Sequence, residues 1–547
     1  MTSHIGNGLQ RRSYGGVTAW AARASVIVGV VLATVTCDVN ETCPTCGTTQ
    51  NGTVALIDVI PVPEHNATGE PGGPFNSFDI SWIDSNAHRL YIADRIGLDV
   101  VIIDTQQDLA IGAIGGDNSV SSGQKPSPCD PSIPSGRLDA MGNPEHFGCK
   151  ANGDFGGFPG AQCCASRGNS VNPLSAPDGI ISTPDGNTLF VANADSSVVV
   201  FDLTTKPPTV IADIPTGQSP AWDGPEGIAP CIATASGLGF SSPTCGDLRA
   251  DEMAYDPDDK LLMVANSDPG IPFVTLIDVS GVVDRKTHCL PVDPNKPYGP
   301  KNPPTCVQGQ IYFDGMDDHA DKLIDDSMDA PCPAPSTSLP DGSPTPTGIS
   351  GPNTSCHHGA IAPAGIGGLA YNPGTGKFLL AFPNNDPDPK KGEISEIDPK
   401  HANGVQIVRH FPIDSCMPGS IVQGPGQDFL VGCADHDGVA FAPNEIIIDG
   451  TSGDVLANIP YVGGVDEVWY NPGDQRYYVA ARDMPSGPVL GVLDASGRQW
   501  LQNVTTNNNS HSVAVDSTNN RIFVPSQSGS ICGSQSANGC VLVYAQQ

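Results

Sequence analysis

A strand–turn–strand unit that returns seven times constrains this chain more than any other feature. It is plainest near the C-terminus, where Ser510-His511-Ser512-Val513-Ala514-Val515-Asp516 is followed after a turn by Arg521-Ile522-Phe523-Val524. Setting the turn residues in register recovers earlier copies at Asp79 to Asp94, Asp178 to Asn193, Asp251 to Asn266, Gly367 to Pro383, Gly419 to Cys433 and Asp466 to Arg482. A third strand ending near an Asp follows most copies, as in Val100 to Asp104, Val198 to Asp202, Thr275 to Asp278 and Val489 to Asp494. A fourth ends in Ile-Pro, as at Ile214-Pro215 and Ile459-Pro460. Short runs of period-2 alternation, four to a unit and seven units to the chain, describe an all-β fold, the seven-bladed β-propeller.

The two ends of the chain complete one another. Thr53 to Pro61 reads as an outer strand without the three that should precede it, and the last unit, 510–547, has three strands but no fourth. Placing the N-terminal strand in the C-terminal blade closes the ring and removes two exposed edges. One propeller over 53–547 follows, with blades near 76–116, 175–217, 249–282, 364–413, 417–463, 464–508 and 510–547. Three insertions, 117–174, 218–248 and 283–363, swell the gaps between blades. Each is placed between an outer strand and the next inner strand, so all three are expected to crowd the face where the inner strands begin. They are rich in Gly, Pro and Cys and read as disulfide-stapled caps.

Charge and cysteine use bear on where such a chain works. The formal net charge is −33, from 59 acidic and 26 basic residues. Nucleic acid and anionic membrane surfaces would be repelled, so neither is an expected partner, whereas divalent cations suit an acidic surface. Arg11, Arg12 and Arg23 precede an apolar run from Ala24 to Val35 that is too short to cross a bilayer comfortably. Residues 1–36 therefore read as an export signal with no membrane span, and 37–52 as a linker. Cys37 raises a lipid anchor, although Val35-Thr36 matches a lipobox poorly; Arg11-Arg12 raises twin-arginine export, but Ser13-Tyr14-Gly15 lacks the usual apolar pair. A secreted, periplasmic or cell-surface protein is the expectation. Of 17 cysteines, 16 remain when Cys37 is set aside (17 − 1), and an even, loop-confined set in an exported chain argues for disulfides. Sequence-near pairs are Cys43 with Cys46, Cys231 with Cys245, Cys289 with Cys306, Cys332 with Cys356, Cys416 with Cys433 and Cys532 with Cys540, with Cys129, Cys149, Cys163 and Cys164 as a further local group. No second CxxC or nearby His supports a zinc site at Cys43-Pro44-Thr45-Cys46.

Repeats such as Leu189-Phe190-Val191-Ala192-Asn193 followed by Val198-Val199-Val200-Phe201-Asp202 resemble the YVTN type of seven-bladed propeller, which is similar to the 6-phosphogluconolactonase-like family. The resemblance covers most of 53–547 outside the insertions. It implies the fold and, beyond that, a lactonase activity; it is a repeat signature, and no matched catalytic motif comes with it.

The first position of each inner strand stands beside the propeller axis. Around the ring it reads Asp79, Asp178, Asp251, Gly367, Gly419, Asp466 and His511, with Glu252, Glu467 and Ser512 next to them. Carboxylates facing one concavity repel unless protonated, solvated or bridged by a cation. Asp79, Asp178, Asp251 and Asp466 are thus candidate ligands, and hard oxygen donors favour Ca²⁺ or Mg²⁺ over Zn²⁺ or Cu²⁺. Two competing readings need no ion: an Asp in such a turn can accept backbone hydrogen bonds, and a water-filled channel can hold separated carboxylates.

With a cation, metal-assisted hydrolysis of a lactone or ester is the leading function, His511 or Glu467 serving as base toward water and Arg482, Asp94 and His436 contacting substrate. The alternative is a non-catalytic propeller whose capped face binds a surface protein or carbohydrate. A third reading, a copper-type oxidoreductase, needs His436, His357 or His358 to join His511. The acidic stretch from Asp314 to Asp329 lacks EF-hand spacing and reads as a solvated loop. No Gly-x-Ser-x-Gly elbow or nucleotide loop is present.

Overall fold

The computed structural model describes residues 52–63, 75–115, 177–193, 197–216, 250–267, 272–289, 304–313, 365–383, 391–402, 404–434, 442–533 and 538–547. Short pieces at 127–130, 137–138, 144–145, 153–155, 157–158 and 355–358 are also described. The expected signal, Cys37, nearly all of the linker, insertion 218–248 and the acidic stretch 314–329 lie outside them.

Seven sheets, each built on four antiparallel strands, form the expected blades. In blade 1 the strands run Phe78–Asp84, Arg89–Asp94, Asp99–Asp104 and Leu109–Gly115; in blade 6, Glu467–Asn471, Arg476–Ala481, Val489–Asp494 and Gln499–Thr505. Inner strands of consecutive blades touch in a closed cycle that returns from blade 7 to blade 1. Second and third strands are packed on both faces. Thr188–Asn193 and Arg476–Ala481 are buried at every position, which is why they read as continuous apolar runs rather than clean alternation. Each Leu, Val, Ile or Phe so buried contributes about 1.5–3 kcal/mol.

The ring closes as the chain ends require. Val54–Pro61 pairs antiparallel with Cys540–Gln546, from Val54 opposite Gln546 to Pro61 opposite Cys540. A neighbouring blade helps to hold the joint. Gln502, on the outer strand of blade 6, accepts a hydrogen bond from the Val54 N–H (3.0 Å) and donates one to the Val54 carbonyl (2.7 Å).

Blade 3 departs from the sequence expectation. Its outer strand is Val307–Tyr312, inside the segment 283–363, and Ser355–His358 adds a fifth strand parallel to it. The connection from third to outer strand is lengthened by a short helix, Ser280–Val283, and stapled by the Cys289–Cys306 disulfide. That spacing hides the strand from a repeat count. It also places 283–289 and 304–306 on the face opposite the mouth, because third-to-fourth connections emerge there, so this insertion does not belong wholly to one face. Pieces of 117–174 do more than cap. Phe155 and Phe158 are buried against Phe201 and Leu98 between blades 1 and 2, and Val210 of the blade 2 outer strand donates its N–H to the Pro128 carbonyl (2.9 Å).

Three disulfides join the sequence-near pairs Cys289–Cys306, Cys416–Cys433 and Cys532–Cys540, and Cys129 is also disulfide-bonded. Such bonds persist in oxidising compartments. No helix among the described residues is long and apolar enough to cross a membrane.

The closure yields a direct test. Gln502→Ala removes both hydrogen bonds to Val54 and is expected to cost about 1–3 kcal/mol in urea unfolding. Deleting 53–61 is expected to abolish the cooperative transition of the whole ring; a deletion mutant that unfolds like the parent would refute this closure.

Candidate axial site

Backbone irregularity aims the axial residues. The inner strands of blades 1, 2 and 3 each carry a bulge just after their first residue, between Phe78 and Ser81, Pro177 and Ile180, and Ala250 and Met253. A bulge re-aims side chains, and each of these three holds the ring Asp. Neighbouring strands pack too closely for a side chain at Gly179, where a Cβ would run into the Asp251 carbonyl oxygen. This approach brings three consecutive blades together at their carboxylates: one ligand-type oxygen from each of Asp79, Asp178 and Asp251 lies within 4.8 Å of the others.

Arg95, which the sequence reading did not single out, enters this group. Its Nε pairs with Asp178 and its Nη2 with Asp79, and the side chain is nearly inaccessible. The signal for it lay in the repeats: Arg89-Leu-Tyr-Ile-Ala-Asp-Arg95 in blade 1 aligns with Arg476-Tyr-Tyr-Val-Ala-Ala-Arg482 in blade 6, so both arginines stand one residue beyond a second strand. Arg482 takes the corresponding role, its Nη1 lying 2.9 Å from Asp466, and Asp79 contributes to holding its charge.

A second carboxyl pair crosses the ring. Glu252 of blade 3 and Glu467 of blade 6 face one another within hydrogen-bonding reach. Each keeps some surface on the channel, yet protein surrounds it closely, so desolvation dominates its acidity. Burial, then the neighbouring Asp251, pushes Glu252 from 4.5 up to about 8. Burial, then Glu252 itself, raises Glu467 well above the ordinary range. Two ionised carboxylates cannot hydrogen-bond, so the pair shares a proton at neutral pH. Beyond it, Trp82 and Trp469 meet edge-to-face at 5.3 Å. They come from blades 1 and 6, which are not adjacent, so the contact spans the channel and narrows it.

His511 lies against the cluster but is almost fully buried. Its ring stacks on Phe78 at 4.9 Å, Nδ1 lies 2.9 Å from the Asn509 carbonyl and Nε2 3.4 Å from Asp79. A carbonyl only accepts, so Nδ1 carries the hydrogen and Nε2 is directed at Asp79. Asp94 is also buried, and its Oδ1 accepts the Ile96 and Gly97 amides (3.1 and 2.9 Å), closing the turn that launches Arg95. His436 lies outside the described residues, and of His357 and His358 only the strand is described. The structure thus gathers Asp79, Asp178, Asp251, Asp466, Glu467, His511 and Arg482 at one mouth, and finds Asp94 engaged in its own turn.

No protein-family model matches the chain, and no curated protein does. Among solved structures, a chain of Kuenenia stuttgartiensis hydrazine synthase is similar, with 14% identity and a TM-score of 0.44 over 84% of this chain and 93% of that one. A likeness at that level carries no argument about function, and the fold rests on the strand pairing above.

One pH effect follows. Glu252, Glu467 and Glu445 all have folded acidities weaker than in the unfolded chain. Glu445 is fully buried and raised well above 4.5 by desolvation, while accepting the Cys433 N–H at 3.1 Å. A raised folded pKa gives stability that is complete below the unfolded value and is lost as pH climbs toward the folded one. The melting temperature is therefore expected to fall between pH 5 and 8, and Glu252→Gln to flatten that fall. An unchanged slope in the variant would show that the pair does not hold the proton.

Proposed function

We propose that this is an exported propeller of the YVTN, 6-phosphogluconolactonase-like kind whose axial mouth binds a divalent cation, Ca²⁺ or Mg²⁺ in preference to Zn²⁺ or Cu²⁺, and hydrolyses a small lactone or ester there. The observation that carries this reading is the convergence of Asp79, Asp178 and Asp251. Their donor set is oxygen alone, which suits hard cations. A bound ion of this class supplies Lewis acidity to a carbonyl oxygen.

The protein's own groups divide the remaining work. Glu467 keeps accessible surface and shares a proton with Glu252, so the pair can take a proton from water and return one to the leaving alkoxide near neutral pH. His511 is too buried to meet substrate freely and packs its ring on Phe78 beside Asp79. Arg482, about a third exposed, is the available contact for an anionic substrate group. His436 remains a candidate substrate contact, whereas Asp94 is buried and holds the turn from which Arg95 reaches the axis, and the three described disulfides support a location outside the cytoplasm.

One observation favours the rival, a non-catalytic propeller that binds a protein or carbohydrate. Arg95 already neutralises two of the three carboxylates, as a purely structural cluster would require.

The two readings separate in one set of measurements on the purified chain. Millimolar CaCl₂ or MgCl₂ is expected to raise the melting temperature, and Asp178→Asn with Asp251→Asn to erase the rise. Glu467→Gln is expected to lower turnover of aliphatic lactones or nitrophenyl esters by roughly 10²–10⁴-fold with cation affinity retained. Absence of both cation-dependent stabilisation and hydrolysis would rule in favour of the non-catalytic propeller.

A further inference from the structure

We infer that Arg95 is the resident counter-ion of the axial carboxylates, an internal cation that competes with any divalent ion for Asp79 and Asp178 and thereby sets the affinity of the mouth. The inference rests on the reading of this cluster as a cation site and states how that site is regulated.

The geometry is specific to a guanidinium. Nε and Nη2 of one side chain engage carboxylates from two adjacent blades, a fork that an ammonium cannot reproduce. The backbone holds the fork in place: the Arg95 N–H donates to the Ser77 carbonyl at 3.0 Å, just before the strand that carries Asp79. Asp94 fixes the following turn through the amides of Ile96 and Gly97. Arg482, at the equivalent place in blade 6, differs in accessibility. It is more exposed and spreads its contacts over Asp466 and Asp483, so it can turn away from the channel. Arg95 is closed in.

The same oxygens cannot serve both cations fully. A divalent ion among Asp79, Asp178 and Asp251 would lie within a few ångströms of the guanidinium, and like charges so close repel by several kcal/mol in a poorly solvated site. Either Arg95 withdraws or the ion binds with fewer ligands. Both routes weaken binding, so the mouth fills only where the cation is abundant, in the manner of extracellular modules with affinities near 10⁻⁴–10⁻³ M. The remaining carboxylates, Asp251, Asp466 and the Glu252–Glu467 pair, keep the mouth attractive to cations even with Arg95 in place.

Calorimetric titration of the full chain with CaCl₂ tests this, comparing the parent with Arg95→Gln and Arg95→Lys and using Asp251→Asn as a site control. Arg95→Gln is expected to bind Ca²⁺ roughly tenfold tighter or more, while melting lower than the parent without cation and recovering the loss when Ca²⁺ is added. Arg95→Lys keeps the charge but not the fork and is expected to fall between them, so it decides the matter if the Gln variant does not fold. A residue that merely braced the structure would lower the melting temperature in both variants without tightening binding. Parent and variants binding Ca²⁺ equally would overturn the inference and leave the cation reading standing. Silence from all of them would overturn the cation reading itself, and binding by the variants alone would support the inference while removing the ion from the unaltered protein.

Discussion

The pairing of Val54–Pro61 with Cys540–Gln546 is the contact on which the rest of the molecule depends. Without it blade 7 is a three-stranded sheet with an open edge, and nothing compels blades 1 and 7 to meet. With it, the inner strands close a cycle, and residues far apart in the sequence become neighbours. The carboxylates of Asp79, Asp178 and Asp251 approach one another only because blades 1, 2 and 3 are wedged around a common axis. The site is thus a property of closure rather than of any one blade.

Closure also concentrates charge, and the molecule answers in two ways. Six carboxyl groups, Asp79, Asp178, Asp251, Glu252, Asp466 and Glu467, share the mouth. Arg95 and Arg482 neutralise some of them. Glu252 and Glu467 relieve more by retaining a proton, since desolvation and their neighbours make full ionisation unfavourable. What negative potential remains is available to a ligand. A comparable arrangement recurs between turns on the other face, where Arg498 grips Asp428 with two hydrogen bonds (2.7 and 3.0 Å) and Arg285 reaches Asp202 across blades. There each arginine is matched to one carboxylate across neighbouring blades, and the role is fastening.

Much of this was legible in the sequence because a propeller is periodic. Blade number, the role of Thr53 to Pro61 and the identity of most ring residues follow from a repeat that places equivalent side chains at equivalent heights. The outer strand of blade 3 was not legible, since Val307–Tyr312 follows a lengthened, disulfide-stapled connection that breaks the spacing. Arg95 was hidden for a different reason. It lies one residue past Asp94, the position that the repeat marks, and only the backbone turn shows that Asp94 serves its own amides while Arg95 reaches the axis. Partner choice among charged groups depends on angles that a one-dimensional pattern does not carry.

The joint between the chain ends has a temporal side. Val54 and Gln546 are partners in one ladder, yet 492 positions separate them along the chain (546 − 54). During synthesis, the first strand to emerge must wait for the last before its backbone finds a mate. Chain-closure entropy grows only slowly with such a span, so the wait is tolerable energetically but long kinetically. Until the final residues are released, the protein has no finished disc and no assembled axial mouth.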